Sequence, residues 1–130
     1  EDHTLQSMDA PATALVVKLT CGAEALERLT QGWTVAATAL ASGLDVSVWL
    51  TGDATWTAVP GRAEELALPH SPPLAELRDA VLEGGRVTVC GQCAARRELG
   101  EDDLLPGVVI RGAAAFVEEV VAPGARALVY

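Results

Sequence analysis

The chain has 130 residues, half of them hydrophobic and 21% charged, which makes one domain and excludes a disordered or solvating protein. Eighteen acidic residues against nine basic ones leave a net charge of −9. This excludes a duplex nucleic-acid binder, which must displace counterions with cations, and a polybasic membrane tether. Three cysteines, an odd and low count, do not build a secreted disulfide framework and fit a reducing, cytoplasmic setting.

Residues 1–11 start acidic, lack the basic start and apolar stretch of a signal peptide, and read as a flexible tail ahead of one domain over 12–130. No run approaches the ~20 apolar residues of a membrane span, so no membrane association is expected. Ala14–Thr20 has the length and β-branched content of a buried strand. After Cys21-Gly22, the residues Leu26, Leu29, Trp33, Ala36, Ala37 and Leu40 recur at 3.6-residue spacing and predict a helix that Gly43 ends. Leu44–Leu50 follows as a second strand, and strand–helix–strand with short joints implies parallel pairing. Residues 51–71 predict a turn at Thr51–Thr55, then a short helix plus loop over the sheet edge. Ser71 is an expected N-cap, with Pro72 and Pro73 in the first turn of a helix that buries Leu74, Leu77 and Val81. Arg86–Cys90 is the third strand, Gly91–Arg97 a short helix, and Val108–Ile110 a fourth strand after a loop holding Asp102, Asp103 and Pro106-Gly107. Gly112–Val121 predicts a helix with Phe116, Val117 and Val120 inward, and Ala125–Tyr130 a fifth strand. The sum is an α/β sandwich with both faces of a five-stranded parallel sheet covered.

In such a sheet, sites lie outside the carboxyl ends of the strands. That rule gathers Thr20-Cys21-Gly22, Thr51-Gly52-Asp53 and Cys90-Gly-Gln-Cys93, and with them all three cysteines. A thiolate at Cys90 faces free backbone N–H groups and the positive end of a helix dipole, both of which lower a thiol pKa. Arg96 and Arg97 stand within reach to help hold an anion, or to pair with Glu98 or Glu101; with them the site is a locally basic pocket on an acidic body. The bland alternative is a small buried cysteine. Nothing beside Cys21 indicates activation. Cys90-Gly-Gln-Cys93 admits three chemistries: a thioredoxin-like dithiol, part of a zinc site for which Cys21 and a stray His3 or His70 make a weak set, and a persulfide carrier. No glycine-rich dinucleotide or P-loop pattern is present, so no nucleotide cofactor is expected. The three tryptophans Trp33, Trp49 and Trp56 read as core or subunit-interface residues, and Asp53 as a partner for the Gly52 turn.

The stretch Val89-Cys-Gly-Gln-Cys-Ala-Ala-Arg-Arg97, together with Gly43-Leu-Asp-Val-Ser-Val-Trp-Leu-Thr-Gly-Asp53 and Leu105-Pro-Gly-Val-Val-Ile-Arg-Gly112, resembles the DsrE/DsrF-like (YchN-like) sulfur-relay family over residues 12–130. The resemblance implies a three-layer α/β/α fold around a five-stranded parallel sheet, and assembly as a homo-trimer or hexamer. It implies that Cys90 accepts sulfur as a persulfide and that Cys93 is the second cysteine of the C-G-x-C form. Arg97 matches the motif arginine, and Glu98 stands where the family has a glycine. The candidate catalytic residues are therefore Cys90 and Cys93, with Arg97, Arg96, Gly91 and Cys21 as binding residues, no metal ligand set and no cofactor. The expected function is a sulfur carrier or transferase working between donor and acceptor proteins. Its alternatives are an oligomeric binding module with structural cysteines, and a C-x-x-C dithiol oxidoreductase.

Overall fold

Five apolar runs pair in register as one parallel sheet in the computed structural model, which describes residues 11–130. The tail expected over residues 1–11, His3 included, lies outside the described residues up to residue 10. The strands are β1 (Ala14–Leu19), β2 (Asp45–Leu50), β3 (Arg86–Cys90), β4 (Val109–Arg111) and β5 (Ala125–Val129), in the order β4-β3-β2-β1-β5. The chain adds β2, β3 and β4 outward from β1, then returns across the sheet to lay β5 on the far side of β1. Right-handed crossovers put the outward helices on one face and the returning helix on the other. The outward helices are α1 (Leu26–Ala41), α2 (Leu74–Gly84) and α3 (Gly91–Arg96); the returning one is α4 (Ala113–Val120).

The two faces are unequally filled. On the first, Val17, Leu19, Val46, Val48, Leu50, Val87 and Val89 pack with Leu29, Trp33 and Ala36 of α1 and Val81 of α2 in one core. The alternate positions Lys18, Ser47 and Trp49 point to the second face, where Phe116 of α4 meets Trp49 edge-on at 5.4 Å. Val117 departs from expectation: it is 54% exposed, and Glu119 turns inward instead, accepting hydrogen bonds from Ser47 Oγ (2.6 Å) and Trp49 Nε1 (3.0 Å). Residues 116, 119 and 120 share a helix face at three- and four-residue spacing, and the buried hydroxyl and indole of the sheet require an acceptor there.

The segment after β2 forms 3₁₀ turns over Gly52–Ala58 and Ala63–Glu65, with Ala54, Ala58 and Ala63 fully buried against the first-face core. It is held by Arg78 of α2, a residue the apolar spacing passed over in favour of the half-buried Leu77. Arg78 is 2% exposed; its guanidinium donates to Glu64 (2.9 Å), Asp79 (2.9 Å) and the Thr57 carbonyl (3.1 Å). Ser71 is not the N-cap of α2. The helix starts at Leu74 with extended Pro73 in the cap position and no side-chain cap, because a residue that precedes a proline is pushed out of the helical region and two consecutive prolines delay the start. Trp33 and Trp49 are buried, whereas Trp56 is half-exposed under the Arg62 guanidinium, 4.3 Å from its ring centre.

Candidate functional site

The carboxyl ends of β1, β2 and β3 meet at one edge, and the loops leaving them interlock through backbone. Thr51 donates from both its N–H (2.9 Å) and its hydroxyl (3.0 Å) to the Leu19 carbonyl. Gly52 is the tightest point: its φ is +53°, and a Cβ there would stand 2.9 Å from the Thr20 carbonyl oxygen, so only glycine fits. That conformation aims the Gly52 N–H at Cys93 Sγ, 3.2 Å away. The Thr-Gly-Asp turn was legible in the sequence, but its role as a hydrogen-bond donor to sulfur was not.

Cys90 is the last residue of β3 and occupies the N-cap position of α3, half-buried with its thiol free. Desolvation pushes this thiol up, but it is outweighed by the backbone N–H groups of Cys93 and Gln92 at the start of α3, by the neighbouring Cys93 side chain and by the Lys18 ammonium. The net effect holds Cys90 below the ordinary cysteine value. The thiolate fraction at neutral pH therefore rises. Alkylation of Cys90 by neutral iodoacetamide is expected to persist at pH values where free cysteine has become unreactive, falling off only as pH drops through the lowered pKa. A pH profile whose midpoint matches or exceeds that of free cysteine would contradict this.

Cys93 lies buried in α3, three residues on from Cys90, with Arg96 Nη1 4.0 Å from its sulfur. Cys90 and Cys93 are thus brought together, and Arg96 joins them on the Cys93 side. Arg97 is engaged elsewhere: its guanidinium donates to Asp53 (2.7 Å) and to the Cys93 carbonyl (3.1 Å), and neither Glu98 nor Glu101 pairs with it. The expected basic pocket is corrected accordingly, since Asp53 neutralises one of its two arginines. Arg97 acts as a strut that fixes α3 to the loop after β2. Gly91 contributes little as a glycine; a Cβ there would rest in ordinary contact 3.7 Å from Arg111 O and Ile110 Cγ2, and the amides that face the thiol belong to Gln92 and Cys93. Cys21 sits on the same edge but is buried, its S–H donating to the Ala25 carbonyl at 3.8 Å, and burial, with Glu24 adding to it, pushes its thiol up. Among the described residues, no three His, Cys, Asp or Glu side chains are grouped to hold a metal ion, and no helix is long and apolar enough to cross a membrane.

A sequence model of the DsrE/DsrF-like family matches residues 15–129. The chain belongs to the DsrE/DsrF-like family. Its fold is similar to that of the YchN protein from E. coli, with a TM-score of 0.75 and 16% identity, covering 91% of this chain and 99% of that one. It is also similar to MTH1491, a protein of unknown function from Methanobacterium thermoautotrophicum, with a TM-score of 0.67 and 12% identity, covering 90% and 98% of the two chains. No curated protein matches the chain.

Within this DsrE/DsrF-like domain, Glu98 stands where the resemblance leads one to expect a glycine, and its backbone adopts the left-handed conformation that favours glycine. Its φ is +56°; Leu99 N–H bonds to the Ala94 carbonyl (2.9 Å) and Glu98 N–H to Ala95 (3.1 Å), a left-handed helix stop. Gly43 ends α1 with the same pair of bonds and no Cβ. A non-glycine residue in the left-handed region is strained by about 1 kcal/mol, part of which glycine returns as unfolded-state entropy. Glu98→Gly is therefore expected to stabilise the fold by about 0.5 kcal/mol, read as a higher urea midpoint at unchanged m-value.

Proposed function

We propose that this DsrE/DsrF-like protein carries sulfane sulfur on Cys90. The observation that supports this reading best is the half-buried Cys90 thiol at the end of β3, held below its ordinary pKa by two backbone amides and the Cys93 thiol. A donor persulfide R–S–SH is attacked at its outer sulfur by the Cys90 thiolate. An S–S bond forms to Cys90, the donor's S–S bond breaks, and R–S⁻ leaves with the electron pair, giving Cys90–S–SH. Two exits are open to that sulfur. An acceptor protein's thiolate takes the outer sulfur directly, or the Cys93 thiol attacks the inner sulfur and releases hydrogen sulfide, leaving a Cys90–Cys93 disulfide that a dithiol reductant must reopen. Self-association belongs to the same reading and is supported by the exposed Val117 and Val121 around α4 and by Leu128 and Val129 on the edge strand β5. Incubation with glutathione persulfide followed by peptide mass spectrometry should show a gain of about 32 Da, one sulfur atom, on the Cys90 peptide. A demonstrably free Cys90 that gains nothing would rule the reading out.

The placement of Cys90 at the N-cap of α3 and Cys93 as its third residue also favours a second reading, a dithiol oxidoreductase. Its signature is a Cys90–Cys93 disulfide formed and reduced reversibly in a glutathione buffer with no sulfur uptake.

A further inference from the structure

The chain has a single lysine, and it lies where a cation is costly. Lys18 is in the body of β1, an interior strand of a parallel sheet, and such strands are normally apolar on both faces. Its side chain is half-buried on the α4 face, with Nζ 5.1 Å from the Phe116 ring centre. The carboxylate on that face, Glu119, is engaged by Ser47 and Trp49, and among the described residues no carboxylate comes within 4.0 Å of the ammonium. The register shows what shares the face. Lys18 pairs with Trp49, Trp49 with Thr88, and Cys90 follows two residues after Thr88, so the pleat directs Lys18 and Cys90 to the same side of the sheet. Asp53 has already neutralised Arg97, Arg96 lies toward Cys93, and Arg111, opposite Cys90 in the register, is exposed on the edge strand β4; Lys18 is the half-buried cation of this face whose charge favours a Cys90 thiolate. On a body of net charge −9, anionic reactants are otherwise repelled.

We propose that Lys18 is the charge-selecting residue of the Cys90 site, giving it a preference for sulfur donors that carry negative charge close to the transferable sulfur. This rests on the reading of Cys90 as the sulfur carrier, and Lys18 acts as a positioning residue for both the thiolate and the incoming anion.

The test compares Cys90 alkylation by iodoacetate and by iodoacetamide at one pH. In both reactions the thiolate forms an S–C bond, the C–I bond breaks and iodide leaves with the electron pair. The ratio of the two rates therefore cancels thiol ionisation and reports reagent charge alone. Lys18→Met is expected to lower this ratio about fivefold and Lys18→Arg to retain it, with the circular dichroism of both variants unchanged. A ratio unmoved in Lys18→Met, or lowered equally in Lys18→Arg, overturns the proposal. If Lys18→Met does not fold, Lys18→Gln against Lys18→Arg gives the same comparison. Loading with glutathione persulfide and with its diethyl ester supplies the second arm: wild type should favour the acid over the ester, and Lys18→Met should lose that preference. Equal loading by the two in wild type also overturns it. Failure of both donors to load removes the carrier reading, while the alkylation ratio still decides the role of Lys18.

Discussion

Cys90→Ser is expected to abolish sulfur uptake completely, whereas Cys93→Ser keeps uptake within severalfold and blocks release as sulfide. A serine hydroxyl at position 90 ionises far above neutral pH and forms no stable persulfide, so the amides of Gln92 and Cys93 are left with nothing to stabilise. At position 93 the serine hydroxyl can still donate toward Cys90 and accept from the Gly52 N–H, which now stands 3.2 Å from the sulfur, so the site's geometry survives. What is lost is the second sulfur, and with it the intramolecular disulfide that expels hydrogen sulfide. The Cys90 persulfide should accumulate in Cys93→Ser and decay only when an external thiol is added. Mass spectrometry of the loaded protein with and without that thiol measures both effects. Uptake that survives in Cys90→Ser but vanishes in Cys93→Ser would reverse the assignment.

The largest effect on stability is expected at Arg78, far from any thiol. Arg78→Ala removes a nearly fully buried long side chain and leaves the Thr57 carbonyl without its charged donor, while Glu64 and Asp79, 50% and 60% exposed, return to water at little cost. Cavity formation and the lost charge-assisted hydrogen bond together come to about 3–4 kcal/mol, on the order of a 10–15 °C fall in Tm for a domain of this size. Glu64→Gln should cost much less, about 1 kcal/mol or under, because Asp79 and Thr57 still hold the guanidinium. The pH dependence follows from the same contact. The hydrogen bond from Arg78 holds the Glu64 carboxyl below the usual carboxylate range. A depressed carboxyl contributes stability that is full above its unfolded pKa and is lost as pH falls through its folded one. The difference between wild type and Arg78→Ala should therefore narrow on acidification. Urea unfolding at neutral and at acid pH reads it, and a gap that widens toward acid would show that Glu64 is not the partner that matters.

The residues that failed to announce themselves share a cause. Arg78 and Glu119 are charged side chains that turn inward because a buried polar group elsewhere needs them: the Thr57 carbonyl in one case, Ser47 and Trp49 in the other. A helical pattern of apolar residues contains no record of that need, so Leu77 and Val117 were expected in their places. Asp53 and Arg97 lie 44 residues apart in the chain and pair only because parallel strands bring their loops to one edge. Lys18 reads in the sequence as a lone charge in a strand, and its bearing on Cys90 exists only through the register across β2.

By itself, the sequence determined the alternation of strands and helices, the parallel sheet, and the gathering of the cysteines at one edge, because each rests on local periodicity and on the geometry of short crossovers. A charge of −9 and three cysteines set the expectations of no nucleic-acid partner and of thiol chemistry. Only the tertiary structure decided that Cys21 is buried against the Ala25 carbonyl, that Arg97 is occupied by Asp53, and that Lys18 and Cys90 share one face of the sheet. A thiol's pKa and an arginine's partner depend on amides and charges brought close by folding, and the chain order carries no distances.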